Sequence, residues 1–99
     1  MRDIDLVIAE VASHDSNIRS IQAQVKHPGY DDDGIWYFWI PELPGEVQVE
    51  SPDGMLPFLV ETDKHNERFV ASTIGETVDT ILAWLRLPGG HSTSFWHPR

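Results

Sequence analysis

Three β-rich segments separated by short turns constrain the fold more than any other part of the chain. They are rich in aromatic and β-branched residues and occupy positions 34–40, 46–50 and 57–62. Pro44-Gly45 and Pro52-Asp53-Gly54 connect them, and both turns are short enough for hairpins, whereas parallel pairing needs long crossovers. A fourth strand at 68–72 follows the polar connection 63–67. The sequence therefore predicts an antiparallel meander of three to four strands in chain order.

Alternation along these segments divides their side chains between two faces. One face is apolar throughout and consists of Trp36, Phe38, Ile40, Val47, Val49, Phe58 and Val60. The other combines two large rings and a leucine with acidic and amide groups, which is typical of a partner-binding surface. We predict that helices cover the first face and that the second binds a partner. The predicted contact residues are Tyr37, Trp39, Gln48, Glu50, Leu59 and Glu61, with Glu46 on the same predicted face.

The N-terminal part of the chain carries an apolar helical repeat. Its positions recur in steps of three and four residues and are Ile4, Val7, Val11, His14, Ile18, Ile21 and Val25. We predict a continuous helix that Asp3 can cap and that Pro28-Gly29 ends. The poor helix formers at 13–17 permit a kink or a break, and an alternative interpretation makes 21–25 a short strand. A continuous helix of about 23 residues would be about 35 Å long and would overhang strands of about 20 Å.

A second helix is predicted after the strands. Thr73-Ile74-Gly75-Glu76 fits a capping box, in which the threonine hydroxyl accepts from the third amide and the glutamate reaches back. Apolar residues recur behind it at helical spacing, at Val78, Ile81, Leu82 and Leu85. Pro88-Gly89-Gly90 is expected to end this helix.

The order of these elements predicts a two-layer α+β sandwich, in which both helices lie on the sheet face that contains Trp36. With 99 residues and 40% hydrophobic content, the chain is long enough for one core and too short for two. Residues 1–90 are therefore predicted to form a single α+β domain. The tail at 91–99 has no periodicity, and we expect it either to be disordered or to dock through Phe95 and Trp96.

The charge of the chain is strongly negative and unevenly distributed. Sixteen acidic residues against seven Lys and Arg give a net charge of −9, which disfavours nucleic acid as a partner. Nine of the acidic residues lie in 27–63, a segment without Lys or Arg, and this predicts a negative surface for a basic protein partner. No apolar run is long enough for a membrane span and the first residues do not resemble a signal peptide, so we expect a soluble cytoplasmic protein.

The residues that usually carry catalysis are not arranged for it. The chain has no Cys, which excludes disulfides and thiolate chemistry, and it has neither a Gly-x-Ser-x-Gly elbow nor a phosphate-binding loop. Asp31-Asp32-Asp33 does not fit a calcium loop, because Trp36 stands where that motif needs glycine. His14 is expected to be a core or interface histidine. We therefore predict no catalytic residue, no metal site and no cofactor.

These features together favour a small acidic, non-catalytic interaction module that binds or sequesters a basic partner, as immunity proteins, inhibitors and secretion chaperones do. One alternative is a small enzyme or ligand-binding protein whose site includes Tyr37, Trp39, Glu50 and Glu61. Another is a structural homodimer, formed through the first helix or through the exposed sheet face. The tail or a second subunit could also cover Tyr37 and Trp39.

Overall fold

The computed structural model describes residues 1–23 and 34–86. The elements in chain order are α1 (Asp3–His14), β1 (Arg19–Gln22), β2 (Ile35–Trp39), β3 (Val47–Glu50), β4 (Phe58–Thr62), β5 (Arg68–Ala71) and α2 (Ile74–Leu85). The strands form one antiparallel sheet in the order β1-β2-β3-β4-β5. The predicted α+β fold and meander are confirmed, with both helices on one sheet face. The strand count was wrong, because the sheet has five strands rather than three or four.

The additional strand comes from the second half of the predicted first helix. That helix ends at His14, because Asp15 adopts an extended conformation with φ of −155°. The Asp15 carboxylate accepts a hydrogen bond from the Asn17 amide at 2.9 Å, and the Ser13 hydroxyl donates to the Glu10 carbonyl at 2.8 Å. These local bonds compete with helical ones, so the prediction of a continuous helix was wrong. Twelve residues make α1 about 18 Å long, which removes the predicted overhang.

β1 pairs antiparallel with β2, with Arg19 opposite Trp39 and Ile21 opposite Tyr37. The Ala23 amide donates to the Ile35 carbonyl at 2.8 Å and extends the pairing by one residue. The alternative interpretation of a short strand was thus nearer to the structure, although the strand begins earlier than predicted. Val25, Pro28-Gly29 and the three consecutive aspartates lie outside the described residues.

The helices cover the apolar face of the sheet, which we call the covered face. All seven residues predicted for it are buried, namely Trp36, Phe38, Ile40, Val47, Val49, Phe58 and Val60. From α2, Val78, Ile81 and Leu85 join the same core, and from α1, Ile4, Val7 and Val11 do so. The apolar stripe of α1 therefore faces the core, which leaves it unable to serve as a dimer surface. His14 is exposed and therefore is not a core histidine, while its alternative role at an interface stays a prediction.

Hydrogen bonds fix the starts of both helices. The predicted Thr73 cap of α2 is confirmed, since the Thr73 hydroxyl accepts from the Glu76 amide at 3.0 Å. The Glu76 carboxylate reaches back one residue further than a capping box requires and accepts from the Ser72 amide at 2.8 Å. The Asp3 carboxylate does not cap α1, contrary to prediction. It accepts from the Leu56 amide at 2.9 Å instead, which attaches α1 to the connection between β3 and β4.

Each helix has twelve residues. Within 1–23 and 34–86, no helix is long and apolar enough to cross a membrane. The predicted end of α2 at Pro88-Gly89-Gly90 and the predicted tail at 91–99 both lie outside the described residues.

Candidate interaction surface

The strand register places all six predicted contact residues on the sheet face opposite the helices, which we call the open face. Its described members are Arg19, Ile21, Ile35, Tyr37, Trp39, Gln48, Glu50, Leu59, Glu61, Arg68 and Val70. The six predicted residues are all half-buried. Each of them is therefore partly exposed, with part of its surface covered by other residues.

A central row of side chains crosses the open face from edge to edge. Tyr37 is opposite Gln48, and Gln48 is opposite Glu61. Ile21 of β1 extends the row at one edge and Arg68 of β5 at the other. Ile21 is 50% exposed.

A second row is apolar except for one carboxylate. Ile35 of β2 is opposite Glu50 of β3, Glu50 is opposite Leu59 of β4, and Leu59 is opposite Val70 of β5. Val70 is 59% exposed. Glu50 therefore stands in the middle strand of the sheet with an aliphatic side chain on each side.

Trp39 lies at the end of β2, directly opposite Arg19. Sequence reasoning missed Arg19 as a member of this face because it assigned the residue to a helix. The available signal was the two-residue step from Arg19 to Ile21, which is the period of a strand. A basic side chain of the protein itself therefore lies beside one of the two predicted aromatic contacts.

The acidic rim is smaller than the sequence predicted. Glu46 is only 4% exposed. Its main-chain amide donates to the Asp63 carboxylate and its main-chain carbonyl accepts from the Thr62 hydroxyl, both at 2.9 Å. Glu61 accepts from Arg68 Nε at 2.9 Å across the β4–β5 pair. Glu50 is then the carboxylate on the open face that is most available to an incoming cation.

The charges on the open face balance. Its described charged residues are two basic and two acidic ones, Arg19, Arg68, Glu50 and Glu61. The chain as a whole carries a net charge of −9. The open face is therefore less negative than the rest of the protein, and its aromatic and aliphatic side chains are the larger part of what it offers a partner.

A separate group of polar side chains lies at the end of α2. Lys64 Nζ donates to the Leu85 carbonyl at 2.7 Å, and partial burial lowers the pKa of Lys64. The His65 ring meets the Trp84 ring edge-on, with centroids 4.6 Å apart. A cation at the carbonyl end of a helix interacts favourably with the negative end of the helix dipole, so Lys64 stabilises the C-terminal end of α2.

Histidines and carboxylates do not converge on a metal site within the described parts of the chain, where no group of three or more potential ligands occurs. His14 Nε2 lies 3.4 Å from the Glu10 carboxylate on the exposed surface of α1, at a spacing of one helical turn. Both side chains are more than half exposed, so this is a contact on the solvent-facing surface of α1.

Comparison of the chain with protein-family models, with curated proteins and with solved structures finds no match in any of the three. The class of protein that the structure defines is a two-layer α+β domain with one helix-covered and one open sheet face.

Proposed function

We propose that this protein is a non-catalytic interaction module that binds a basic protein partner through the open face of its sheet. The observation that carries the proposal is the contrast between the two sheet faces. The helices bury the covered face, whereas Tyr37, Trp39 and Leu59 lie half-buried on the open face beside Glu50. Partly exposed rings and aliphatic side chains with a polar rim are the composition of protein–protein interfaces.

Net charge adds selectivity to this surface. A charge of −9 attracts basic partners over a distance of about one Debye length, about 8 Å at physiological salt, and it repels acidic ones. Contact then depends on the open face itself, where Tyr37 and Trp39 supply rings that can stack on a cationic side chain. The module acts in the cytoplasm in this proposal and sequesters or inhibits its partner by occupying the partner's basic surface.

The experiment compares quantitative capture from the source cell extract by three immobilised proteins. They are the wild type, the double variant Trp39→Ala/Glu50→Lys and a control double variant Leu6→Ala/Glu10→Lys on the exposed side of α1. The proposal predicts that one basic protein is enriched by the wild type and by the control but is lost from the open-face variant. The control carries the same charge change and also shortens an apolar side chain, although by fewer atoms, so it tests the location of the change.

Stability measurements accompany the capture. Urea unfolding of the open-face variant is expected within about 1 kcal/mol of wild type, because its substitutions lie outside the core. Equal enrichment by all three proteins would contradict the proposal. Loss of folding in the open-face variant would mean that these side chains support the fold, and the proposed surface would then be wrong.

A homodimer through the same face is a second candidate, and the balanced charges of the open face favour it. Two copies would approach through the one surface where Arg19 and Arg68 offset the carboxylates, so the repulsion between acidic chains would be smallest there. Light scattering on dilute protein separates the candidates. A dimer mass that Trp39→Ala reduces to a monomer mass supports the homodimer, and a wild-type monomer removes it.

A further inference from the structure

Glu50 occupies a distinctive position on the open face. It lies on β3, the middle strand of five, with Ile35 directly opposite on one side and Leu59 on the other. The row continues to Val70, which is 59% exposed at the edge. A carboxylate is thereby fixed at the centre of an aliphatic strip that reaches the edge of the sheet.

The neighbouring carboxylate shows how this face holds a cation. Glu61 is opposite Arg68 and accepts from its Nε at 2.9 Å, while the Arg68 side chain stays 67% exposed. Among the described residues, no side-chain hydrogen bond or ion pair involves Glu50. Glu50 and Glu61 are diagonal neighbours in the register, with Cα atoms about 7 to 8 Å apart, yet within the described residues only Glu61 of the two bonds to a cation.

An aromatic ring completes the surroundings of Glu50. Tyr37 is opposite Gln48, two residues before Glu50 on β3, which makes Tyr37 and Glu50 diagonal neighbours on the same face. A planar guanidinium that bonds to a carboxylate can also stack on an adjacent ring, whereas an ammonium group lacks this geometry. The position therefore suits arginine better than lysine.

We propose that Glu50 is the docking site for a single arginine of the partner, presented by a protein segment in which apolar side chains flank that arginine. The arginine bonds to Glu50, its stem lies along Ile35 and Leu59, and an adjacent apolar side chain of the partner covers Val70. This inference rests on the proposed function and narrows it. The partner carries one arginine within an apolar patch, because the strip contains one carboxylate, that of Glu50, among aliphatic side chains.

The test uses a small probe in place of the partner. N-butylguanidinium carries the cation and a short stem, and N-butylurea is its neutral counterpart of similar shape. Each compound is titrated while the methyl signals of Ile35, Leu59 and Val70 are followed by NMR. We expect saturable shifts with butylguanidinium and about fivefold weaker binding with butylurea, which is the effect of one partly exposed ion pair.

Two charge-neutralising variants show whether butylguanidinium binding depends on the Glu50 carboxylate. Glu50→Gln is expected to weaken butylguanidinium binding about fivefold, to the level of butylurea. Asp79→Asn removes the same charge from the exposed side of α2 and should leave the binding unchanged. Equal binding by Glu50→Gln and wild type, equal binding of the two compounds, or no saturable shift would each overturn the proposal.

The outcome separates this inference from the proposed function on which it rests. If partner capture is lost with Trp39→Ala but retained with Glu50→Gln, the open face still binds the partner, and only the proposal of an arginine site at Glu50 is wrong. If capture is insensitive to both single variants, the proposed function fails as well. A salt titration of the captured complex adds an independent check, since one ion pair gives a weak salt dependence and a polybasic contact a steep one.

Discussion

Phe38 and Trp39 are consecutive residues of β2, yet they belong to two surfaces of different kinds. Phe38 points to the covered face and is fully buried beneath the helices, while Trp39 points to the open face and stays half-buried. The covered face holds only apolar side chains at its predicted positions. The open face combines rings and aliphatic residues with two basic and two acidic side chains. One face of the sheet therefore stabilises the fold, and we propose that the other binds a partner.

Truncation of these two adjacent residues should change the free energy of unfolding by very different amounts. Phe38→Ala should lower the free energy of unfolding by about 4 kcal/mol, because it leaves a cavity in a closed core. Trp39→Ala should lower it by about 1 kcal/mol or less, although the side chain is larger. Urea unfolding monitored by circular dichroism measures both values. Similar losses for the two variants would mean that the open face is also part of the core.

A substitution of the capping residue Thr73 tests whether a less stable α2 affects only the covered face of the sheet. Thr73→Ala removes the hydroxyl that accepts from the Glu76 amide, and we expect a loss of about 1 kcal/mol. Thr73→Ser keeps the acceptor and serves as the control, with near wild-type stability. Chemical shifts of Trp39 and Leu59 on the open face should not move in either variant. If they do, the two faces are coupled through the sheet.

We expect the smallest effect on stability from the protonation of Asp5 at low pH. Hydrogen bonds from the Arg2 side chain and from the Arg2 backbone amide lower the pKa of Asp5 below its ordinary value of 3.8. A carboxyl whose pKa is lower in the folded state binds fewer protons there than in the unfolded chain. Its stabilising contribution is therefore complete above pH 3.8 and is lost as the pH falls through the lowered folded-state pKa.

Asp5→Asn should accordingly be less stable than wild type at pH 6, and the difference should shrink below pH 3.8. Thermal unfolding of both proteins across this range measures the difference. Glu10→Gln, further along α1, provides the matched control. A difference that stays constant with pH would show that Asp5 acts on α1 through something other than its charge.

The sequence predicted the two faces of β2, β3 and β4 correctly because alternation is local. All seven residues assigned to the covered face are buried. The period-two pattern fixes which side chains lie together once the turns are identified, with no knowledge of distant contacts.

Other features depended on interactions that spacing does not encode. Ile18 and Ile21 stand three residues apart and continued the helical repeat, but Ile18 is buried in a connection and Ile21 lies exposed on a strand. The turn at Asp15 decided between these structures. Glu46 was assigned to the open face, but it is buried, and its main chain bonds to Thr62 and Asp63 at the end of β4. Such contacts between distant parts of the chain emerge only from the fold.

The indole N–H signals of Trp36 and Trp39, which lie on the same strand, report on the two sheet faces separately. Trp36 is 3% exposed on the covered face, and Trp39 is half-buried on the open face. In a titration of ¹⁵N-labelled protein with the captured partner, the Trp39 indole N–H signal should shift saturably while the Trp36 signal stays in place. A partner that binds without moving the Trp39 signal, or that moves the Trp36 signal equally, would contradict the assignment of function to the open face.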